Sequence, residues 1–162
     1  MFRLVRAAPL AVIAAVLLAA PAVASKPPPI QFTGQAHNVS GVPGPGNTFD
    51  VVLAGTDVAE GALSGTFAFI DHTVISPGGH LHVDRVLTQG YDTISMEVDA
   101  DFVGFTANTE SVSGRWTITS GTGVYANLAG IGSYTATVTI VTIASHTINE
   151  ALGGFAFFNA SN

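Results

Sequence analysis

Two histidines and a carboxylate alternate along one short segment of the chain. His80, His82 and Asp84 are separated by Leu81 and Val83. Alternate side chains of a β-strand lie on the same face, so these two imidazoles and this carboxylate could share one metal ion. In the alternative interpretation the leucine and the valine face the core, and the three polar side chains lie on the solvated outer face. We expect the second arrangement, because an exposed face lacks the surrounding groups that orient metal ligands.

A row of carboxylates is the second group that could carry chemistry. Glu97, Asp99 and Asp101 alternate along one segment. Alternate residues of a strand lie ~7 Å apart, which is close to the separation between the two acids of a glycosidase. The intervening side chains from Ile94 to Phe102 are all apolar. We therefore expect a solvated outer face rather than a calcium site or a glycosidase site.

No catalytic signature is recognisable in the chain. It contains no cysteine, which excludes a thiol nucleophile and thiolate metal sites. Gly121, Gly123 and Ala126 match a dinucleotide fingerprint, but that motif needs a helix next and an acid ~20 residues further on. Neither follows here, since the next acid after the motif is Glu150. The pattern favours a protein without enzymatic activity and without a cofactor.

Four aromatic residues are the candidates for a ligand-binding wall. Phe67, Phe69, Trp116 and Tyr134 each lie on a row opposite a row of serine, threonine or arginine. A closed sheet must turn one row inward, so we expect these rings inside the barrel. If a site exists there, they form its apolar wall. The alternative is a fully packed core, which is the default role of aromatic residues in a small barrel.

The elements that must position these residues are strands. Apolar and polar residues alternate, glycine and proline punctuate the chain, and no segment of the mature chain keeps helical spacing for three turns. Glycines beside aromatic residues on one face allow a sheet to bend until it closes. The pattern predicts an all-β domain, a single closed or nearly closed antiparallel barrel of about eight strands, with a two-sheet sandwich as the alternative. The predicted strands are 30–38, 48–55, 62–76, 80–90, 92–103, 110–119, 131–144 and 153–159.

The beginning of the chain resembles a secretory signal peptide. Basic Arg3 and Arg6 precede an apolar stretch, and Ala22-Val23-Ala24 forms a small-x-small cleavage site. The sequence thus predicts a signal peptide at 1–24, a Pro-rich spacer at 25–29 and a barrel domain at 30–162. We expect a secreted or periplasmic protein that is soluble after cleavage, with no membrane partner.

Charge limits the class of partner. Removal of the signal peptide leaves three basic side chains against eleven carboxylates, a formal charge of −8. That excess argues against nucleic acid and anionic membranes as partners. The oligomeric state is not predictable from these patterns.

One turn carries a family resemblance. The segment Gly121-Thr122-Gly123-Val124-Tyr125, which continues to Gly132, follows a strand ending in Trp116-Thr117-Ile118-Thr119. It resembles the Gly-Thr-Gly-x-aromatic turn of the dirigent and allene oxide cyclase-like barrels, in which the turn folds over one barrel end and leads into a long strand. The resemblance implies an eight-stranded barrel with a cavity suited to a small hydrophobic molecule.

Three functions are compatible with these observations. The leading hypothesis is an exported, non-enzymatic barrel that binds a small hydrophobic ligand. The second is an enzyme, either metal-dependent through His80 and His82 or a cyclase that acts inside the barrel. The third is a structural or surface-interaction protein whose barrel is filled.

Overall fold

The computed structural model describes residues 29–142 and 145–158. The predicted signal peptide, and the predicted spacer apart from Pro29, lie outside the described residues. Within the described ranges, no helix has the length and apolar character needed to cross a lipid bilayer.

Eight antiparallel strands form a closed barrel. Each strand pairs with the next along the chain, and the last pairs with the first. The predicted all-β antiparallel barrel is therefore confirmed, and the sandwich alternative is wrong. The strands are β1 (Ile30–Pro43), β2 (Phe49–Glu60), β3 (Gly65–Ile75), β4 (His80–Gln89), β5 (Asp92–Phe105), β6 (Thr109–Gly121), β7 (Leu128–Thr142) and β8 (Ser145–Phe158).

The seam of the barrel joins its first and last strands. β8 runs antiparallel to β1, from Ser145 opposite His37 to Leu152 opposite Ile30. We predicted that the last strand would begin at 153, eight residues too late, because the segment before that point looks polar. The structure instead places Ile148, Glu150 and Leu152 on one buried row of this strand.

Alternation of side chains decides what fills the barrel. In β5 the apolar row from Ile94 to Ala100 is buried, and Glu97, Asp99 and Asp101 lie on the exposed face. Successive side chains of a strand point to opposite faces, so one row enters the interior and the other meets solvent. This is the arrangement that the period-two pattern predicts.

The two ends of the barrel differ. We call the end at which β1 begins the packed end and the end at which β1 finishes the open end. Near the packed end the ring of Phe67 meets that of Phe32 edge-on, with centroids 6.4 Å apart. Large buried side chains fill this half of the barrel: Ile30, Phe32, Phe67, Leu87, Ile94, Met96, Trp116 and Leu152.

A 3₁₀ turn at Gly123–Tyr125 covers the packed end. The ring of Tyr125 packs against Phe67 with centroids 6.1 Å apart, and its hydroxyl donates a 2.6 Å hydrogen bond to Oε1 of Gln89. The hydroxyl of Thr122 accepts a hydrogen bond from the backbone N–H of Thr93 at 2.9 Å. The turn is thereby fixed to the ends of β4 and β5.

The indole of Trp116 lies directly against backbone. Its Nε1–H donates a 3.0 Å hydrogen bond to the carbonyl of Gly153. A Cβ atom at Gly130 would lie only 2.7 Å from Cζ3 of the indole. Glycine at this position lets the largest side chain of the protein approach the sheet closely, with its polar atom satisfied.

Candidate functional site

The half of the barrel next to the open end contains a cavity of about 210 Å³. Its wall is mostly apolar, and Asn38 and Glu110 lie on its side nearest the open end. Strands β2, β3, β4, β5, β6, β7 and β8 supply the apolar part of the wall: Val51, Leu53, Ile75, Leu81, Val83, Val98, Ala100, Phe102, Val112, Val138 and Ile148.

Four polar residues close the cavity on the side of the packed half, and we call them the charged floor: Asp71, Arg85, Tyr134 and Glu150. Arg85 donates from Nε and Nη2 to the two carboxylate oxygens of Asp71, both at 2.7 Å. Its Nη2 also donates to Oε1 of Glu150 at 2.8 Å, and its Nη1 donates to Oε2 of the same carboxylate. The guanidinium thus joins β3 to β8 across the interior, in the two-pronged geometry that suits carboxylates.

Two rings complete the surroundings of the guanidinium. The ring of Phe69 lies against Arg85, with its centroid 5.0 Å from Cζ, at a cation–π distance. The hydroxyl of Tyr134 donates a 2.9 Å hydrogen bond to Oε1 of Glu150. All of these side chains are buried, so the floor is a rigid polar layer inside an apolar barrel.

Asp57 lies between the charged floor and the packed half and does not line the cavity. Neither of its carboxylate oxygens has a hydrogen-bond partner among the described residues, although its side chain is only 1% exposed. The nearest cation is Nη1 of Arg85, 3.8 Å from Oδ2. A Cβ atom at Gly34 would lie 1.8 Å from Oδ1 of Asp57, so only glycine on β1 leaves space for this carboxyl group.

Burial governs the protonation of Asp57 and of the charged floor beside it. It raises the pKa of Asp57 to about 7, because the attraction of Arg85 is weaker than the cost of burial and the Glu150 and Asp71 carboxylates repel a further negative charge. Burial also raises the pKa of Asp71 in spite of its bonds to Arg85. The pKa of Tyr134 lies well above its usual value, first through burial and then through the neighbouring Glu150.

Arg85 keeps its proton. Burial acts to lower the pKa of its guanidinium, but the charges of Asp71 and Glu150, together with their hydrogen bonds, hold that pKa well above its ordinary value. The floor therefore combines one permanent positive charge with two directly bonded carboxylates and a third carboxyl group, Asp57, close by.

The histidines of β4 lie on the outer face and pair with carboxylates of β5. Nδ1 of His82 is 2.7 Å from Oδ1 of Asp99, and Nδ1 of His80 is 3.0 Å from Oδ1 of Asp101. The hydrogen bond to Asp99 raises the pKa of His82. Asp84 is exposed, with Oδ1 3.7 Å from Nε2 of His82. In the described part of the chain, no group of three histidine or acidic side chains is arranged to hold a metal ion.

The four predicted aromatic residues are all buried, but they occupy different places. Tyr134 lines the cavity as part of the charged floor. Phe69 packs against Arg85, one layer behind the cavity wall. Phe67 and Trp116 belong to the packed half. The structure thus brings Tyr134 and Phe69 to the floor and places the other two rings away from the cavity.

We predicted no role in a site for Asp57, Asp71, Arg85 and Glu150. A signal for them was present, because each is in phase with an inward apolar row of its own strand. Arg85 follows Leu81 and Val83 at intervals of two. Asp71 on β3 and Glu150 on β8 likewise lie at intervals of two from inward-facing apolar residues of their own strands. A charge in phase with core residues indicates a buried polar group.

The fold and the cavity define the molecule as an eight-stranded barrel with one filled half and one hollow half above a charged floor. No protein-family model matches the chain, and comparison with curated proteins and with solved structures gives no significant match. Membership of the dirigent or allene oxide cyclase-like barrels stays a prediction that rests on the turn at Gly121–Gly132. The function is therefore argued from the cavity.

Proposed function

We propose that the protein binds a small, mostly apolar molecule in the cavity of its barrel. The observation that carries this proposal is the cavity itself, which has a mostly apolar wall, the charged floor on one side, and Asn38 and Glu110 nearer the open end. Ligand sites in proteins commonly have this composition. The mouths of small β-barrels are among the places where such sites occur.

The volume limits the size of the ligand. A cavity of ~150 Å³ with an apolar lining holds benzene, so the cavity of about 210 Å³ found here suits a single ring with a short substituent. Aromatic and large aliphatic side chains fill the packed half. The cavity therefore favours a binding site at one end of the barrel over a fully packed core.

The bonding of the floor favours binding over catalysis. The hydroxyl of Tyr134 is committed to Glu150, and four hydrogen bonds commit Arg85 to Asp71 and Glu150. A general acid or base must reach the reacting group of its substrate. Asp57, whose pKa is raised to about 7, does not line the cavity.

Export is part of the proposed function. The signal-like residues at 1–24 support delivery of the barrel outside the cytoplasm, where a soluble binding protein would capture or carry its ligand. The small hydrophobic molecule is then the partner.

A substitution that fills the cavity tests the proposal. Val83 lines the cavity, and Val86 lies exposed on the outer face of the same strand. Val83→Phe places a ring in the cavity, and Val86→Phe is the matched control. We expect 2-phenylethanol, measured by titration calorimetry and ligand-detected NMR, to bind the wild type and V86F with equal affinity and V83F at least about tenfold more weakly.

Two results would contradict this proposal. One is that neither 2-phenylethanol nor its analogues with an ammonium or a carboxylate group bind saturably to the folded wild type. The other is unchanged binding to V83F, which would place the site outside the cavity. Trp116 is a poor reporter for this experiment, because its indole lies in the packed half.

A further inference from the structure

We infer that the ligand carries a protonated amine on its apolar body. The inference rests on the proposed function and adds the chemical class of the head group. It follows from two properties of the cavity that were described separately: the hydrogen-bonding capacity of its floor and the charges along its lining.

The floor has more free acceptors than free donors. A guanidinium has five N–H donors, and four hydrogen bonds to Asp71 and Glu150 already engage Arg85. The Nη1 group, which carries the remaining donor, faces Asp57 as well as Glu150. The hydroxyl proton of Tyr134 is also engaged. The carboxylates retain lone pairs, since each accepts up to about four hydrogen bonds. A ligand that completes this floor must donate.

The charges of the residues that line the cavity also favour a ligand that carries an ammonium group. Asp71, Glu150 and Glu110 line the cavity, and among the residues that the structure describes Arg85 is the one basic side chain in the lining. Glu110 forms no ion pair with any residue in the described part of the chain. The lining therefore carries an excess of negative charge. An ammonium group compensates this excess.

An anionic head group meets the opposite situation. To reach Arg85 it would have to replace Asp71 or Glu150, and the displaced carboxylate would remain buried without a partner. Removing one partner of a buried ion pair is strongly unfavourable. A neutral hydroxyl can donate one hydrogen bond but leaves the excess charge in place. The order of affinity for one apolar body is therefore amine, alcohol, carboxylate.

Three probes with the same phenylethyl body test this order: 2-phenylethylammonium, 2-phenylethanol and 3-phenylpropanoate. Each carries one ring and a short chain, in keeping with the cavity volume. We expect titration calorimetry of the purified protein at pH 7.5 to give the ammonium about tenfold or more the affinity of the alcohol, with the carboxylate weaker than both.

Variants locate the source of the preference. Glu150→Gln removes a carboxylate from the floor, and Glu110→Gln removes one nearer the open end without touching the buried network. Glu97→Gln makes the same change on the outer face of β5 and serves as the matched control. We expect E150Q and E110Q to weaken binding of the ammonium about threefold to tenfold while binding of the alcohol is retained, and E97Q to change neither. If E150Q does not fold, E110Q decides.

The outcomes separate this inference from the proposed function. Binding of the alcohol or the carboxylate at least as tight as that of the ammonium overturns the amine and leaves the cavity site standing. An ammonium preference that survives in every folded cavity variant overturns it too. If none of the three probes binds, the proposed function fails and the amine fails with it.

Discussion

Arg85 and Arg115 show how one residue type takes two roles in the same barrel. Arg115 lies exposed on β6, whereas Arg85 is buried at the centre of the charged floor. A guanidinium inside a protein requires carboxylates and further hydrogen bonds to offset its lost hydration. Asp71 and Glu150 supply them here. The position of a single cation thus determines the identity of residues on two other strands.

Asp57 makes the stability of the barrel depend on pH. The pKa of its carboxyl group is about 7 in the folded protein, above its ordinary value of 3.8. Between these values the folded state holds a proton that the unfolded state has lost, so the stabilisation is complete below about pH 4 and falls as the pH rises to about 7. Arg85, Asp71 and Glu150 are the charged groups that act on it.

Asp57→Asn is the corresponding prediction. The amide keeps the shape of the protonated acid and does not ionise. We expect the free energy of unfolding of the wild type to fall by about 2–3 kcal/mol more than that of D57N between pH 5 and pH 8, as measured by urea denaturation. Asp84→Asn removes an exposed carboxylate and should follow the wild type. Parallel pH profiles for wild type and D57N would show that Asp57 is ionised in the fold.

Among the elements, the strands were predictable and the charged floor was not. Period-two alternation is a local signal, and it predicted the buried row of β5 and the number of strands. The floor joins Asp71, Arg85 and Glu150 from three strands, and its existence depends on the register of the closed sheet. Since β3 and β8 are not neighbours in the barrel, no local pattern relates Asp71 to Glu150. The only signal in the sequence was that each of these acids lies in phase with the inward-facing apolar residues of its own strand.

The turn at Gly123–Tyr125 acts as a lid for the packed end, and Tyr125 is its anchor. Tyr125→Ala leaves a void beside Phe67, so we expect a loss of about 3 kcal/mol in the free energy of unfolding. Tyr125→Phe keeps the ring and removes only the hydrogen bond to Gln89, for a loss of about 1 kcal/mol. Chemical denaturation followed by circular dichroism gives both values.

Tyr91→Ala is the control for these variants. Tyr91 is fully exposed at the same end of the barrel, so its removal should change the free energy of unfolding by less than about 0.5 kcal/mol. Equal losses for Y125A and Y91A would mean that the turn does not hold the packed end closed.

The two halves of the barrel have different roles. The packed half buries the large aromatic and aliphatic side chains that stabilise the fold. The hollow half leaves space and places a charged network beside it, an arrangement that adds little stability. Proteins often depart from ideal packing where a ligand binds. The hollow half is therefore the functional half in our proposal.

The seam between β1 and β8 sets the order in which the molecule is completed. The sheet closes only when β8 pairs with β1. Contacts between distant parts of a chain are slow to form. Glu150 arrives with β8, so Arg85 lacks one of its two bonded carboxylates until that moment. A chain ending at Thr142 should lose cooperative unfolding in urea, and a chain ending at Phe158 should keep it. Cooperative unfolding of the shorter chain would contradict this. Until its final strand is made, the growing chain can form only an open sheet, and the unpaired edges of such a sheet are exposed to aggregation and to proteases.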